Sequence, residues 1–408
     1  MKRFLSLLLL LVSVLVMVGC DKDKVTSEYE VKSLAELKEA KNIVVTFKHP
    51  FGDTITEALT ELKESFEAEY PNITIKLVNV SGYDELKKSI IYDINSGEAP
   101  TMTVGYADHL AEYMITDSII SLNKFIDAAI GYSDAELADF VAGYLEENRS
   151  FDKEGTYYGM PFNKSTEALY YNADFFKEFD LEVPETWAEY EATSVKIYEI
   201  VSTLEDGEYS WLGDIATNLE NGEFVPGMYD STSNLFTTII HQFDGLYTRS
   251  YYNESGTINL QSGEISFVDN DKDDKAKEAL TYMQTLANNK YITVPEAWEG
   301  SYGSNFFVDG KILMNIGSTG GSSYYATSIC DWGVAPIPYK DADHKYAIQQ
   351  GTNFTIFSQA TDLEKLAAWM FIKHCLTPEN TTQFAIATGY MPVRLSAYDS
   401  QEYKDFLD

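Results

Sequence analysis

The sequence predicts an α/β fold on doubly wound, largely parallel sheets, in a chain long enough for two lobes. Three observations carry this. Residues 43–104 alternate three apolar, strand-like runs with two segments whose apolar residues recur at helical spacing, a βαβαβ order. The chain has 408 residues, room for two cores. Its 45% hydrophobic content excludes a disordered chain.

The elements follow in order. Lys2 and Arg3 precede an apolar run of about 15 residues, too short to span a bilayer, and then Gly19-Cys20. A secretory signal over 1–19, lipidation of Cys20 and a lipid-attached linker over 20–41 are expected. A strand at 43–47 ends in KHPFGD, which opens a helix carrying Ile55, Leu59, Leu62 and Phe66 on one face. Residues 73–80 alternate as a strand does. Leu86, Ile90, Ile91 and Ile94 then mark a second helix, and 102–104 a third strand. In such sheets ligands sit beyond the carboxyl ends of strands, so His49, Asp53, Tyr83, Tyr106 and Asp108 become candidates by shared placement.

Ser133 with Glu136, and Thr186 with Glu189, make capping boxes that open helices, the first expected to run over 133–148. Between them, 156–172 reads as two short strands around a polar turn, where the chain crosses from one lobe to the other. The run MYDSTSN at 228–234 places Tyr229 and Asp230 before an apolar helix, a polar cluster able to hold hydroxyls or an anion. In 310–338, strands at 312–316 and 332–335 flank GSTGGSS, whose glycines admit a close neighbour and whose Ser318 and Thr319 offer hydroxyls. Amphipathic helices follow at 363–376 and from Pro378, the latter broken by GYMPVR at 389–394.

Charge and motifs narrow the function. A net charge of −34 supplies no basic stripe, which excludes nucleic acid as a partner. DNDKDD at 269–274 fails as a calcium loop, because Asp274 replaces the required Gly and Leu280 the bidentate Glu. The five histidines make no metal spacing, and Cys330 and Cys375 are expected as buried free thiols. GxSxG is absent, and GSTGGSS lacks the lysine of a phosphate-binding P-loop. No metal, cofactor or enzyme activity is expected. A secreted glycoside hydrolase with two facing carboxyls is the enzyme alternative, and a glycan-binding adhesin a third reading.

Five stretches in order then fit one pattern: YGMPFNKSTEALYYNADFFKE (158–178) with PETW, GKILMNIGSTGG, DWGVAPIP, EKLAAWMFIKHCLTPEN (364–380) and TGYMPVRLSAYD (388–399). The chain resembles the extracellular solute-binding lipoproteins of ABC importers, in the class of maltose-type sugars and glycerol-3-phosphate. The resemblance implies a two-lobed periplasmic-binding-protein-like fold, with a hinge between the lobes and ligand held in the cleft. On the sequence pattern the first lobe is expected over 42–155 and 310–357, the second over 156–309 and 358–408. The glycerol-3-phosphate branch places Tyr83, Tyr106, Asp108, Ser165, Ser318, Gly351 and Tyr390 at ligand-contacting positions. It carries cleft tryptophans where this chain has 228–234. It also has a C-terminal arginine for the phosphate beyond the point where this chain ends, for which Arg394 is the substitute candidate. The acidic balance favours a neutral saccharide over sn-glycerol-3-phosphate or a glycerophosphodiester. Permease subunits are the expected protein partners of a monomer, lipid-anchored at the extracellular face of the membrane.

Overall fold

The computed structural model describes residues 28–252, 258–265, 274–298, 300 and 302–407. The signal segment, Cys20 and the acidic run 269–273 lie outside the described residues. Twelve strands are described: β1 Ile43–His49, β2 Ile73–Asn79, β3 Met102–Gly105, β4 Met160–Ser165, β5 Glu167–Asn172, β6 Gly227–Tyr229, β7 Thr248–Tyr252, β8 Ile258–Ile265, β9 Ile292–Thr293, β10 Met314–Ser318, β11 Trp332–Pro336 and β12 Gln350–Ile356. They form two five-stranded sheets, β2-β1-β3-β12-β4 and β11-β5-β10-β6-β9, and a β7–β8 hairpin.

In the first sheet β1 pairs parallel with β2 and β3, and β12 pairs antiparallel with β3 and β4. In the second, β6 pairs parallel with β9 and β10, and β5 pairs antiparallel with β10 and β11. Four of five strands in each sheet therefore run one way. The single reversed strand is the one that arrives from the other lobe: β5 follows β4 across Thr166, and β12 follows the return segment 337–349. A chain that leaves one sheet towards the other must enter it pointing away from the junction.

This topology corrects the expected boundaries. β10 and β11 belong to the second sheet and β4 to the first, so the crossings fall at 166 and 337–349. The helices Asp362–Cys375 and Pro378–Thr388 bury Leu366, Trp369, Phe371 and Phe384 in the first core, beside Phe47, Phe66 and Phe125. Trp369 stacks on Phe125 at 5.5 Å between ring centroids. The second core gathers Leu169, Trp187, Tyr190, Ile239 and Ile316. There the Trp187 indole N–H donates to Gln242 at 2.7 Å. Part of the expected linker is structured as well: Ser33 caps a helix over Leu34–Glu39, and Tyr29 and Leu37 are buried in the first core.

Two local expectations change. The helix expected at 133–148 is two short helices, Asp134–Ala138 and Ala142–Glu147. The break arises because Phe140 bridges Arg394 and the Val141 N–H donates to the Val393 carbonyl. The glycine-rich segment is wound rather than open, a 3-10 turn over Thr319–Thr327 started by the Ser318 hydroxyl accepting from the Gly320 N–H.

Candidate functional site

The opposed strand ends meet where the chain crosses. Thr166 anchors the crossing: its carbonyl accepts from the Thr319 N–H at 2.9 Å and its hydroxyl donates to the Ile348 carbonyl at 2.9 Å. On the first-lobe side, Tyr83 begins the helix Tyr83–Ser96 and Tyr106 follows β3, so both stand beyond strand ends. Their rings lie 5.0 Å apart. Asn163 of β4 donates to the Tyr83 hydroxyl at 3.3 Å. Burial, and then the phenols of Tyr390 and Tyr106, hold the Tyr83 hydroxyl well above its ordinary pKa. The Tyr106 phenol is raised by burial and by Tyr390 as well. Tyr83, Tyr106 and Tyr390 thus form one phenol cluster.

The second lobe touches this cluster directly. The Tyr390 ring lies so close to Gly320 that a Cβ there would come within 2.7 Å of it. Tyr302, an exposed second-lobe side chain, lies near enough to add to the rise at Tyr106. Its neighbour Gly303 donates its N–H to Asp230 at 2.6 Å, and Asn315 donates to the same carboxylate at 3.1 Å. Burial raises the Asp230 pKa, the two donors only partly opposing it. Tyr302-Gly303 therefore joins the phenols of one lobe to the carboxylate of the other.

The remaining candidates fall elsewhere. His49 is a core residue: it is 1% exposed, its Nδ1 accepts from the Phe51 N–H at 3.4 Å, and desolvation lowers its pKa to about 4. Asp53 is exposed at its helix start. Asp108 is exposed with Lys87 at 4.0 Å. Ser165 is buried in register with Gln350 across β4–β12. Gly351 is architectural: with φ of +104°, a Cβ there would sit 2.1 Å from the Asn163 carbonyl oxygen. Ser318 and Thr319 serve the crossing, the Ser318 carbonyl accepting from the Tyr170 hydroxyl at 3.0 Å. Tyr229 is fully buried and its hydroxyl donates to Glu167.

Arg394 is corrected most sharply. Its Nε donates to Asp139 at 2.9 Å and its guanidinium lies 4.1 Å over the Phe140 ring. It is buried in the first lobe and is spent on joining 139–141 to 393–396. In this arrangement its Nε is paired with Asp139, and its Nη1 is buried without a hydrogen-bond partner.

The sequence reading missed Asn163, Glu167, Asn234, Tyr302 and Gln350. Glu167 had a signal, a carboxylate one residue past the crossing in the otherwise apolar EALYY. It is 4% exposed and lines a cavity of about 730 Å³ with Glu185, Val334, Ile337, Lys345 and Tyr346. That cavity shares no residue with the phenol cluster. Among the described residues no group of His, Cys, Asp and Glu is arranged to hold a metal ion.

Two α/β lobes joined by crossing strands, with hydrogen-bonding side chains facing from both, define a hinged ligand-binding protein. The chain belongs to the bacterial extracellular solute-binding protein family, whose model matches residues 61–406. It is 24% identical over 374 residues to the sn-glycerol-3-phosphate-binding periplasmic protein UgpB of Escherichia coli strain K12, covering 89% of this chain and 77% of that one. Solved structures share the fold. UgpB from Mycobacterium tuberculosis in complex with glycerophosphocholine has a TM-score of 0.68 at 19% identity, over 90% of this chain and 83% of that one. The acarbose-binding GacH receptor of Streptomyces glaucescens gives 0.67 at 20%, over 90% and 84%. Maltose-bound MalE3 of T. maritima gives 0.66 at 19%, over 89% and 84%. The chain is the substrate-binding component of an ABC importer, working outside the cytoplasm with a small-molecule ligand and permease subunits as partners.

Proposed function

We propose that the chain captures a carbohydrate, an oligosaccharide, between its lobes and delivers it without making or breaking a bond. The observation that carries this is the charge of the site. Arg394 is committed to Asp139, and Lys164 is committed to Glu147 at 2.9 Å. No lysine or arginine is among the groups that shift the Tyr83 and Tyr106 phenols, whereas Asp108 is, and Asp230 is bonded by Gly303, the neighbour of Tyr302. A dehydrated phosphate needs charge-assisted donors, and one left without them is costly. Sugar hydroxyls suit phenols, amides and a carboxylate, and aromatic faces pack on sugar rings. Contacts to both lobes favour the closed state, so binding and closure are one equilibrium.

The second reading is sn-glycerol-3-phosphate or a glycerophosphodiester in the same cleft, favoured by the name of the curated relative. A diester that carries its own cation would relieve part of the charge cost. Lipidation at Cys20 and a monomeric state complete the proposal. A thermal-shift screen of oligosaccharides, glycerol-3-phosphate and glycerophosphodiesters tests it, because a ligand that binds only the native state raises Tm. One saccharide class should do so, and chromatography should show that sugar unchanged. Product formation would move the chain to the hydrolases.

A further inference from the structure

The crossing holds a buried carboxylate that lies outside the phenol cluster. Glu167 is 4% exposed, one residue beyond Thr166. Its partners are neutral: the Tyr229 hydroxyl donates to it, and Asn234 Nδ2 donates to its Oε1 at 2.8 Å. The same Asn234 nitrogen donates to Gln350 Oε1 at 3.2 Å. Gln350 begins β12 in the first sheet, whereas Glu167, Tyr229 and Asn234 belong to the second lobe. Glu167, Asn234 and Gln350 therefore make a chain of hydrogen bonds across the hinge.

We propose that Glu167 links proton uptake to closure of the lobes: closing removes water from its carboxylate and favours the protonated form, and opening lets the proton leave. The surroundings supply little to oppose this. Asp230 repels a charge on Glu167. Around the shared cavity, Glu185 accepts from the Tyr339 hydroxyl at 2.6 Å, and the Lys345 ammonium sits 4.3 Å over the Tyr339 ring; Tyr346 completes the titratable lining. No Lys, Arg or His among the described residues pairs with Glu167. Desolvation, its largest influence, pushes its pKa up to about 7, so the transition falls near neutrality. Rotation about Thr166 would stretch the Asn234–Gln350 contact and admit water to the carboxylate.

The test needs no ligand, so it stands apart from the saccharide reading. Small-angle X-ray scattering of the full chain, from roughly pH 5.5 to roughly pH 8.5, should show the radius of gyration growing as pH rises. The closed-to-open ratio should fall by up to about tenfold per unit through the transition. Glu167→Gln should abolish that dependence. Gln350→Ala leaves Glu167 able to titrate but cuts its link to the first lobe, and should abolish it too. A pH-invariant radius in the unmodified chain overturns the proposal, as does a dependence that survives in Glu167→Gln. If that variant does not fold, survival of the dependence in Gln350→Ala overturns it.

Discussion

The two lobes share one strand plan and place opposite charges at the crossing. Lys164, at the end of β4, has a fully buried side chain, and its ammonium is met by Glu147 at 2.9 Å and the Gly351 carbonyl at 3.1 Å. Glu167, at the start of β5, is as deeply placed but is met only by neutral donors. The first lobe thus compensates its buried charge, and the second leaves its own free to change protonation. Equal topology leaves this choice open, because it is made by side chains from distant helices, Glu147 in one lobe and Asn234 in the other.

The largest way to break this comparison is to remove the first lobe's counter-ion. Glu147→Ala should cost about 3–5 kcal/mol in denaturant unfolding, since it strands a buried ammonium. Glu167→Gln should cost less than about 1 kcal/mol, because it mimics the neutral acid. Equal costs would erase the distinction. Next, Arg394→Ala should lower stability by about 3 kcal/mol through the lost pair and its stacking on Phe140, while ligand affinity measured by calorimetry stays unchanged. Smaller still, Tyr83→Phe should weaken ligand binding by about five- to tenfold, one hydrogen bond of ~1 kcal/mol, with little change in Tm.

The pH dependence sharpens the contrast with the least effect. Burial lowers His49 from 6.5 to about 4, so its contribution is present above 6.5 and is lost as pH falls from 6.5 towards 4. Glu167 has the opposite sign. Its pKa rises from 4.5 to about 7, so its contribution is present below 4.5 and is lost as pH climbs from 4.5 towards 7. In urea titrations across this range, a change at His49 should alter the acid limb of stability and Glu167→Gln the limb approaching neutrality.

How much the sequence disclosed follows from the range of each interaction. β1 to β3 and their helices were readable because hydrophobic period is local, and the Ser133 and Thr186 caps formed as their spacing predicted. The crossing near 166 was readable too, from two short strands around a polar turn. The membership of β10 and β11 was not, because an apolar strand does not name its partners; pairing of Ile316 with Leu169 and of Ala335 with Leu169 assigns both to the second sheet. Tyr83 and Tyr106 were candidates by strand-end placement and Tyr390 by the family resemblance alone, and the three lie in one cluster. Arg394 looked free in the sequence because the groups that bury it, Asp139, Phe140 and Tyr132, lie more than two hundred residues away. His49 sits at a strand end, as expected, but its side chain turns into the core beside Phe47 and Phe51.

On the saccharide reading proposed above, these lobes close on a neutral polyhydroxyl ligand, and Arg394 and Lys164 are held by carboxylates of the first lobe. Isothermal calorimetry of the full chain against the saccharide that raises Tm and against sn-glycerol-3-phosphate tests it most directly. Saturable binding of the saccharide, with glycerol-3-phosphate at least about a hundredfold weaker, a gap of ~2.7 kcal/mol, is the result expected. Tighter binding of the phosphate ester than of any saccharide would contradict it.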